Sequence, residues 1–408
     1  MRHHWSKLVR GPGFAEGLRR LPGAVRSETV SAAVVATLFS ITGPALLYIN
    51  TAQTLGFTNR QASSWLFGCY VISGVISLVL SLYYQMPIVG AACIPGATML
   101  ATALQGYSFQ EAVGTYVCAG FLVLLVGVTG FASRMMKVIP LPIVMGMVAG
   151  CMMHYAVDIV KNAREEPFLC GVAILGYLIV PRLWKRMPGM LGALALSLAV
   201  LLLTDGWLPA GEAAAFTPPL FTMPVWNSAV LLSVSVPLAI LVVGAQNAQA
   251  IGVLQAEGYD APVNSMTIAS GVASIIAAFF GGHNANIAGP MTAICASEES
   301  GQDKSLRFGA AVINGILSIL FGLFASAAIA FTRRIPAVLV NTLAGLGLVT
   351  VLVNSLRSGF SGPKFQVGAF TAFVIGLCDL TIFHIGAAFW GLLLGCIVSA
   401  ILERGDFR

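Results

Sequence analysis

The chain has 408 residues, 57% of them hydrophobic and only 9% charged, with a formal net charge of +6 and a mean hydropathy of +0.87. A soluble domain carries about a quarter of its residues as charge, so this composition excludes a water-soluble globular protein and makes lipid the solvent over most of the length. The basic excess does not imply a nucleic-acid partner, because Lys and Arg stand at the ends of apolar runs, where membrane topology accounts for them.

In chain order, residues 1–28 are basic and lack a short apolar stretch followed by a small-residue cleavage site. They read as a cytoplasmic tail, not a cleavable signal. Apolar runs between polar breaks then predict an all-α integral membrane protein of about fourteen spans. These fall near 30–50, 62–82, 87–104, 111–131, 139–157, 167–181, 189–204, 228–250, 263–280, 283–297, 306–331, 336–355, 366–383 and 386–402. The third and tenth are short. With both termini cytoplasmic, only Arg60, Lys161, Arg164, Arg333 and Arg334 of the 22 Lys and Arg fall outside, which satisfies the positive-inside rule. The longest outside loop, 205–227, holds Asp205 and Glu212 but no Lys or Arg. The expected location is a bacterial inner membrane.

A weak self-similarity recurs at an offset of about 196 residues. Ala52-Gln53-Thr54-Leu55-Gly56 returns as Ala248-Gln249-Ala250-Ile251-Gly252, Pro95 as Pro290, and Lys137-Val138-Ile139-Pro140 as Arg333-Arg334-Ile335-Pro336. An offset that carries the first span onto the eighth implies seven spans per repeat. An odd number inverts the second copy, the usual basis of alternating access around a midplane site. The predicted organisation is a tail (1–28), a first repeat (29–205), an extracytoplasmic loop (206–227), a second, inverted repeat (228–402) and a C-terminal tail (403–408).

The third span begins Gln85-Met86-Pro87-Ile88-Val89-Gly90 and continues through Cys93-Ile94-Pro95-Gly96-Ala97. The tenth runs Gly281-Gly282-His283-Asn284-Ala285-Asn286-Ile287-Ala288-Gly289-Pro290. Each reads as an extended stretch, a Pro/Gly break and a short helix. Proline suits a first helical turn, and irregular backbone at membrane depth is tolerated only where protein buries it or it lines a cavity. Two such half-helices aimed at one point offer free N–H groups and positive dipole ends to an anion. Pro95, Gly96, Ala97, Asn286 and Ile287 are therefore candidate substrate contacts. An ordinary proline kink is the bland alternative for either span alone.

Gln246-Asn247 lies deep in the apolar eighth span, and Asn50 holds the corresponding place in the first. Such amides should face the protein interior, as substrate contacts or as glue between helices. Ionisable groups within the spans are few: His154, Asp158, His283, Asp379, His384 and, at a boundary, Glu111. His283 is the candidate proton-coupling group, because imidazole titrates near neutrality; a neutral, backbone-bonded histidine is the alternative. The eight scattered cysteines show no CxxC or Cys/His metal spacing and read as packing residues. No cofactor beyond a coupling proton is expected.

These residues resemble the benzoate:proton symporter family, within the larger group that shares the uracil-permease fold. The likeness spans about residues 40–395. Gln85-Met86-Pro87, Pro95 to Thr102, Gly106-Tyr107-Ser108, Gly127-Val128-Thr129-Gly130, Gln246-Asn247, Gly258-Tyr259, Asn286-Ile287-Ala288, Thr292 to Cys295 and Ala388-Phe389-Trp390-Gly391 carry it. It implies a core domain of spans one to four and eight to eleven, and a gate of spans five to seven and twelve to fourteen. It also implies a small carboxylate substrate bound between the breaks, and a homodimer.

Related nucleobase carriers place acids in spans eight and ten where this chain has Gln246 and Ala285, which suits an anionic substrate. The family usually has Ser-Thr where this chain has Cys93-Ile94, and Ala-Ile-Thr where it has Gly289-Pro290-Met291 before Thr292. A nucleobase carrier of the same fold and an anion channel are the competing readings. No HExxH, nucleophile elbow or phosphate loop marks an enzyme.

Overall fold

The computed structural model describes residues 10–130, 140–184, 189–204, 217–378, 382 and 387–407. Among them, seven helical stretches are long and apolar enough to cross a bilayer, and six further apolar helices run 10–17 residues. The protein is therefore an integral membrane protein built almost entirely of helices.

Helices α1 to α6 are Phe14–Ala24, Ser27–Thr42, Pro44–Thr54, Asn59–Tyr84, Ile94–Ala103 and Phe109–Thr129. Helices α7 to α9 are Leu141–Glu165, Pro167–Leu183 and Gly189–Leu203. Helices α10 to α13 are Ser228–Ile240, Ala248–Ala256, Val263–Phe279 and Gly289–Ala296. Helices α14 to α18 are Phe308–Leu323, Ala325–Thr332, Ala337–Phe360, Gln366–Leu377 and Ala387–Leu402.

Local chemistry sets many of the boundaries. Gly43-Pro44 divides the first predicted span, with proline in the opening turn of α3, where its missing N–H costs nothing. Thr58 with Gln61, and Ser108 with Glu111, form reciprocal capping boxes at the starts of α4 and α6. Gln85 ends α4 in the left-handed conformation, φ 53°, which turns the chain back into the membrane region. The sequence predicts a tail over residues 1–28, yet Phe14–Ala24 is a helix docked on the end of α4. Gly13 N–H donates to Tyr83 O at 3.1 Å, and Arg20 donates to Gln85 Oε1 and Ser305 Oγ.

The helices sort into two packed groups. In one, α6 lies against α12 and α10, and α14 against α4 and α2. In the other, α7 lies against α16 and α17, α17 against α18, and α8 against α9. Lipid supplies no hydrophobic drive between helices, so close van der Waals approach must hold them together. A methyl built on Gly74 would fall 2.6 Å from Gly315 O, and one on Gly146 would fall 2.3 Å from Ala369 O. Between the groups, Gly43 meets Gly347 nearly backbone to backbone.

Two described segments leave the helix to form a two-stranded antiparallel ladder of β1 (Gly90–Ala91) and β2 (Asn286–Ile287), pairing Gly90 with Ile287 and Ala91 with Asn286. Ala288 N–H extends it to Val89 O at 2.9 Å. Backbone groups at this depth find no water, so two segments that leave the helix must satisfy each other. The breaks predicted from Pro/Gly patterning thus meet, and they meet through main chain. Asp379, His384 and the Lys137-Val138-Ile139 stretch of the internal similarity lie outside the described residues.

Candidate functional site

Beyond the ladder each segment turns into a half-helix, α5 or α13, with proline in its first turn. The first intrahelical donors are Ala97, bonded to Cys93 O, and Thr292, bonded to Ala288 O. The N–H groups of Ile94, Gly289 and Met291 precede those bonds and have no partner within their helices. Gly96 N–H is capped by Cys93 Sγ at 3.3 Å.

A cavity of about 260 Å³ opens beside these turns. Ile94, Pro95, Ala288, Pro290, Met291 and Ile294 bring both half-helices to its wall, together with Phe39, Gln246 and Gln249. The second helix group contributes Met145 of α7 and Thr350, Val351, Asn354, Ser355 and Ser358 of α16. The wall carries amides, hydroxyls and apolar groups but no ionisable side chain. Its volume lies just below the usual range for drug-sized ligands, which suits a single-ring compound.

Gln246 reaches this wall from an unusual backbone. Leu241–Asn247 forms a π-helical stretch between α10 and α11, a widened turn that often accompanies functional sites. Consecutive amides on a helical turn face different partners. Gln246 faces the cavity, while Asn247 Oδ1 accepts from Ile287 N at 3.1 Å and from Ser270 Oγ at 3.2 Å. Asn247 therefore braces the ladder from behind.

The other predicted residues divide in the same way. Pro95 lines the cavity, whereas Gly96 and Ala97 are buried and are not among its lining residues. Asn286 and Ile287 are fully buried in the ladder, where Asn286 Nδ2 donates to the Ile287 carbonyl at 3.0 Å. Asn50 sits half-buried on α3 and is not part of the cavity wall.

His283 is fully buried. Trp65 Nε1–H donates to its Nδ1 at 2.9 Å, and an indole nitrogen can only donate, so Nδ1 must accept. The ring proton then sits on Nε2, which donates to Cys93 O at 2.9 Å. Tyr48, Trp65 and Tyr116 ring the imidazole at centroid distances of 5.3, 5.8 and 6.4 Å, and Cys69 Sγ lies 3.3 Å from Nδ1. Next in sequence, Asn284 Oδ1 accepts from Cys93 N at 2.8 Å. His283 and Asn284 thus clasp the Cys93 residue at its carbonyl and its N–H, tying the tenth-span break to the third behind the cavity.

Sequence reasoning missed the wall formed by α16. Thr350, Asn354 and Ser358 recur every four residues, one face of a helix, within an otherwise apolar segment. That spacing is the available signal. Gln249 belongs to the internal similarity but is not among the predicted site residues. It lines the cavity and packs so closely on Gly289 that an added methyl there would fall 2.5 Å from its Cγ and Oε1.

Two broken segments that meet beside a cavity, with a group of helices on either side, are an arrangement shared by solved membrane transporters. The chain superposes on the transmembrane domain of a cyanobacterial bicarbonate transporter, BicA, with a TM-score of 0.64 at 14% identity, covering 96% of this chain and 100% of that one. It likewise matches the murine Slc26a9 anion transporter in its inward-facing state, at a TM-score of 0.61 and 13% identity, over 95% of this chain and 70% of that one. Neither is a nucleobase carrier, so the uracil-permease grouping implied by the sequence resemblance finds no support in them.

Residues 23–401 match the family model described as benzoate membrane transport protein, and the chain belongs to that family. The inner membrane protein YdcO of Escherichia coli K12 is 30% identical over 93% of this chain and 97% of its own length. A benzoate membrane transport protein of Acinetobacter baylyi is 27% identical over 91% and 94% respectively. The family and these relatives are transport and membrane proteins, and the chain is a transporter and not an enzyme.

Proposed function

We propose that the chain imports benzoate or a related small aromatic carboxylate together with protons, by alternating access between two inverted seven-span repeats. The observation that carries this reading is the convergence of both proline-led half-helices on one cavity that holds amides and apolar side chains but no fixed charge. Free N–H groups and positive helix ends favour a carboxylate, while Phe39, Met145, Met291 and Val351 suit a ring. A fixed acid in the wall would repel such a substrate, and none is present there. In this reading the α16 group is the gate, and the group holding the ladder is the core. The polar face of α16 ends beside Arg357, which the charge rule puts at the cytoplasmic surface, so in this reading that face belongs to the cytoplasmic half of α16. A homodimer belongs to the same proposal, and the mass of the solubilised protein tests it.

Proton coupling needs a group whose charge alters packing, and His283 is the candidate. A proton added at Nδ1 would set two donors against each other and break the Trp65 bond, linking charge to the seating of α4 on the crossing. Uptake of labelled benzoate into proteoliposomes, with and without an inward proton gradient, tests both parts. Absence of uptake and counterflow across a panel of aromatic acids would refute the substrate assignment. Gln246→Ala should lower counterflow at least about tenfold, the loss of a hydrogen bond to a charged group. His283 variants that still accumulate substrate against its gradient would end the coupling role.

A further inference from the structure

The α16 face has a property that its neighbours on the same helix lack. Thr342 and Ser355 turn their hydroxyls back onto the preceding turn of their own helix: Thr342 Oγ1 donates to Val338 O at 2.9 Å and Ser355 Oγ to Val351 O at 2.8 Å. Thr350, Asn354 and Ser358 make no side-chain hydrogen bond among the described residues, and all three are exposed to the cavity they line. The common fate of a hydroxyl in an apolar helix is that back-bond. Two hydroxyls and an amide left free on one face, over two turns of about 5 Å each, form a strip of open hydrogen-bonding capacity facing the half-helices.

From this strip we infer that the carrier selects aromatic carboxylates bearing a ring hydroxyl over plain benzoate, with Asn354 as the discriminating residue. The inference rests on the carboxylate reading of the preceding section. With the carboxylate held at the first turns of α5 and α13, the ring crosses the apolar middle of the cavity. Its far edge then meets α16. While the cavity is open, water satisfies Thr350, Asn354 and Ser358. Closure expels that water, and a bare ring edge leaves the polar groups unpaired, which is costly. A ring hydroxyl donates to Asn354 Oδ1 and accepts from its Nδ2, from Thr350 or from Ser358. Sites built to bond a hydroxyl discriminate strongly against analogues that lack it.

The test is counterflow of labelled benzoate in proteoliposomes, competed with unlabelled benzoate and with the 3- and 4-hydroxybenzoates. The readout is the ratio of half-inhibitory concentrations within each variant, which is independent of how much protein is active. In the unaltered protein a hydroxybenzoate should compete at least about tenfold better than benzoate, and Asn354→Leu should bring the ratio towards one. Should that variant fail to reach the membrane, Thr350→Val and Ser358→Ala give the same readout with a smaller fall. A ratio near one in the unaltered protein overturns the inference, as does a preference that survives all three substitutions. Absence of any benzoate or hydroxybenzoate counterflow instead overturns the carboxylate reading beneath it.

Discussion

The ladder and the α16 face are two polar regions at the same cavity, and they use their polar atoms in opposite ways. Around the ladder, Ser77, Ser274, Asn247, Asn284 and His283 all bond to backbone of the two broken segments. On α16, the side chains of Thr350, Asn354 and Ser358 bond to nothing among the described residues. Around the ladder the amides each spend one end on backbone, which fixes geometry, although Asn247 Nδ2, Asn284 Nδ2 and Asn286 Oδ1 stay buried without a partner among the described residues. On α16 the free groups are ones that water or ligand reaches. The difference separates scaffold from contact surface more sharply than polarity alone, since an inventory of polar residues treats both regions alike.

Substitutions that strain the ladder should have the largest effect. Gly90→Ala sets a methyl 2.3 Å from the Ser73 carbonyl oxygen, a backbone atom with little room to move. A cost of about 3 kcal/mol or more is expected, seen as loss of monodisperse protein on size-exclusion chromatography in detergent. His283→Ala comes next. It removes the bond to Cys93, strands Trp65 Nε1–H and opens a void, for about 3 kcal/mol, read as a lower unfolding temperature.

Asn247→Ala should cost less, about 1 kcal/mol, because hydrogen bonds within membrane bundles are individually modest. Ser358→Ala should leave the unfolding temperature nearly unchanged, within about 0.5 kcal/mol, while altering transport selectivity. A destabilised Ser358→Ala protein would erase the contrast between the two regions. A neutral His283→Ala would erase it from the other side.

The sequence is informative where backbone is forced out of a helix. Proline and glycine at Pro95-Gly96 and Gly289-Pro290 locate both breaks, because helix geometry permits few other readings of such residues in an apolar run. It is informative at Gln246, since an amide deep in an apolar span needs a purpose. It is ambiguous wherever the answer depends on a distant partner. His283 and Trp65 are far apart in the chain, as are Asn247 and Ile287, so neither bond is visible from local pattern. Asn247 and Gln246 are adjacent, yet one braces and one lines, because neighbouring residues on a helix face about 100° apart and only the tertiary packing decides which direction holds the cavity. Thr350, Asn354 and Ser358 are legible as a periodic face. Which way that face points is a tertiary fact.

At the crossing the two broken segments offer peptide groups to each other and to the side chains that brace them, and peptide groups are the same whatever side chains they carry. Side chains of the broken segments can therefore change beside the crossing without removing its main-chain bonds, provided that Gly90 keeps its clearance from Ser73. Cys93-Ile94 and Gly289-Pro290-Met291 sit at such positions. Ile94, Pro290 and Met291 line the cavity, so substitution there would retune what is carried while leaving the main-chain pairing of the frame in place.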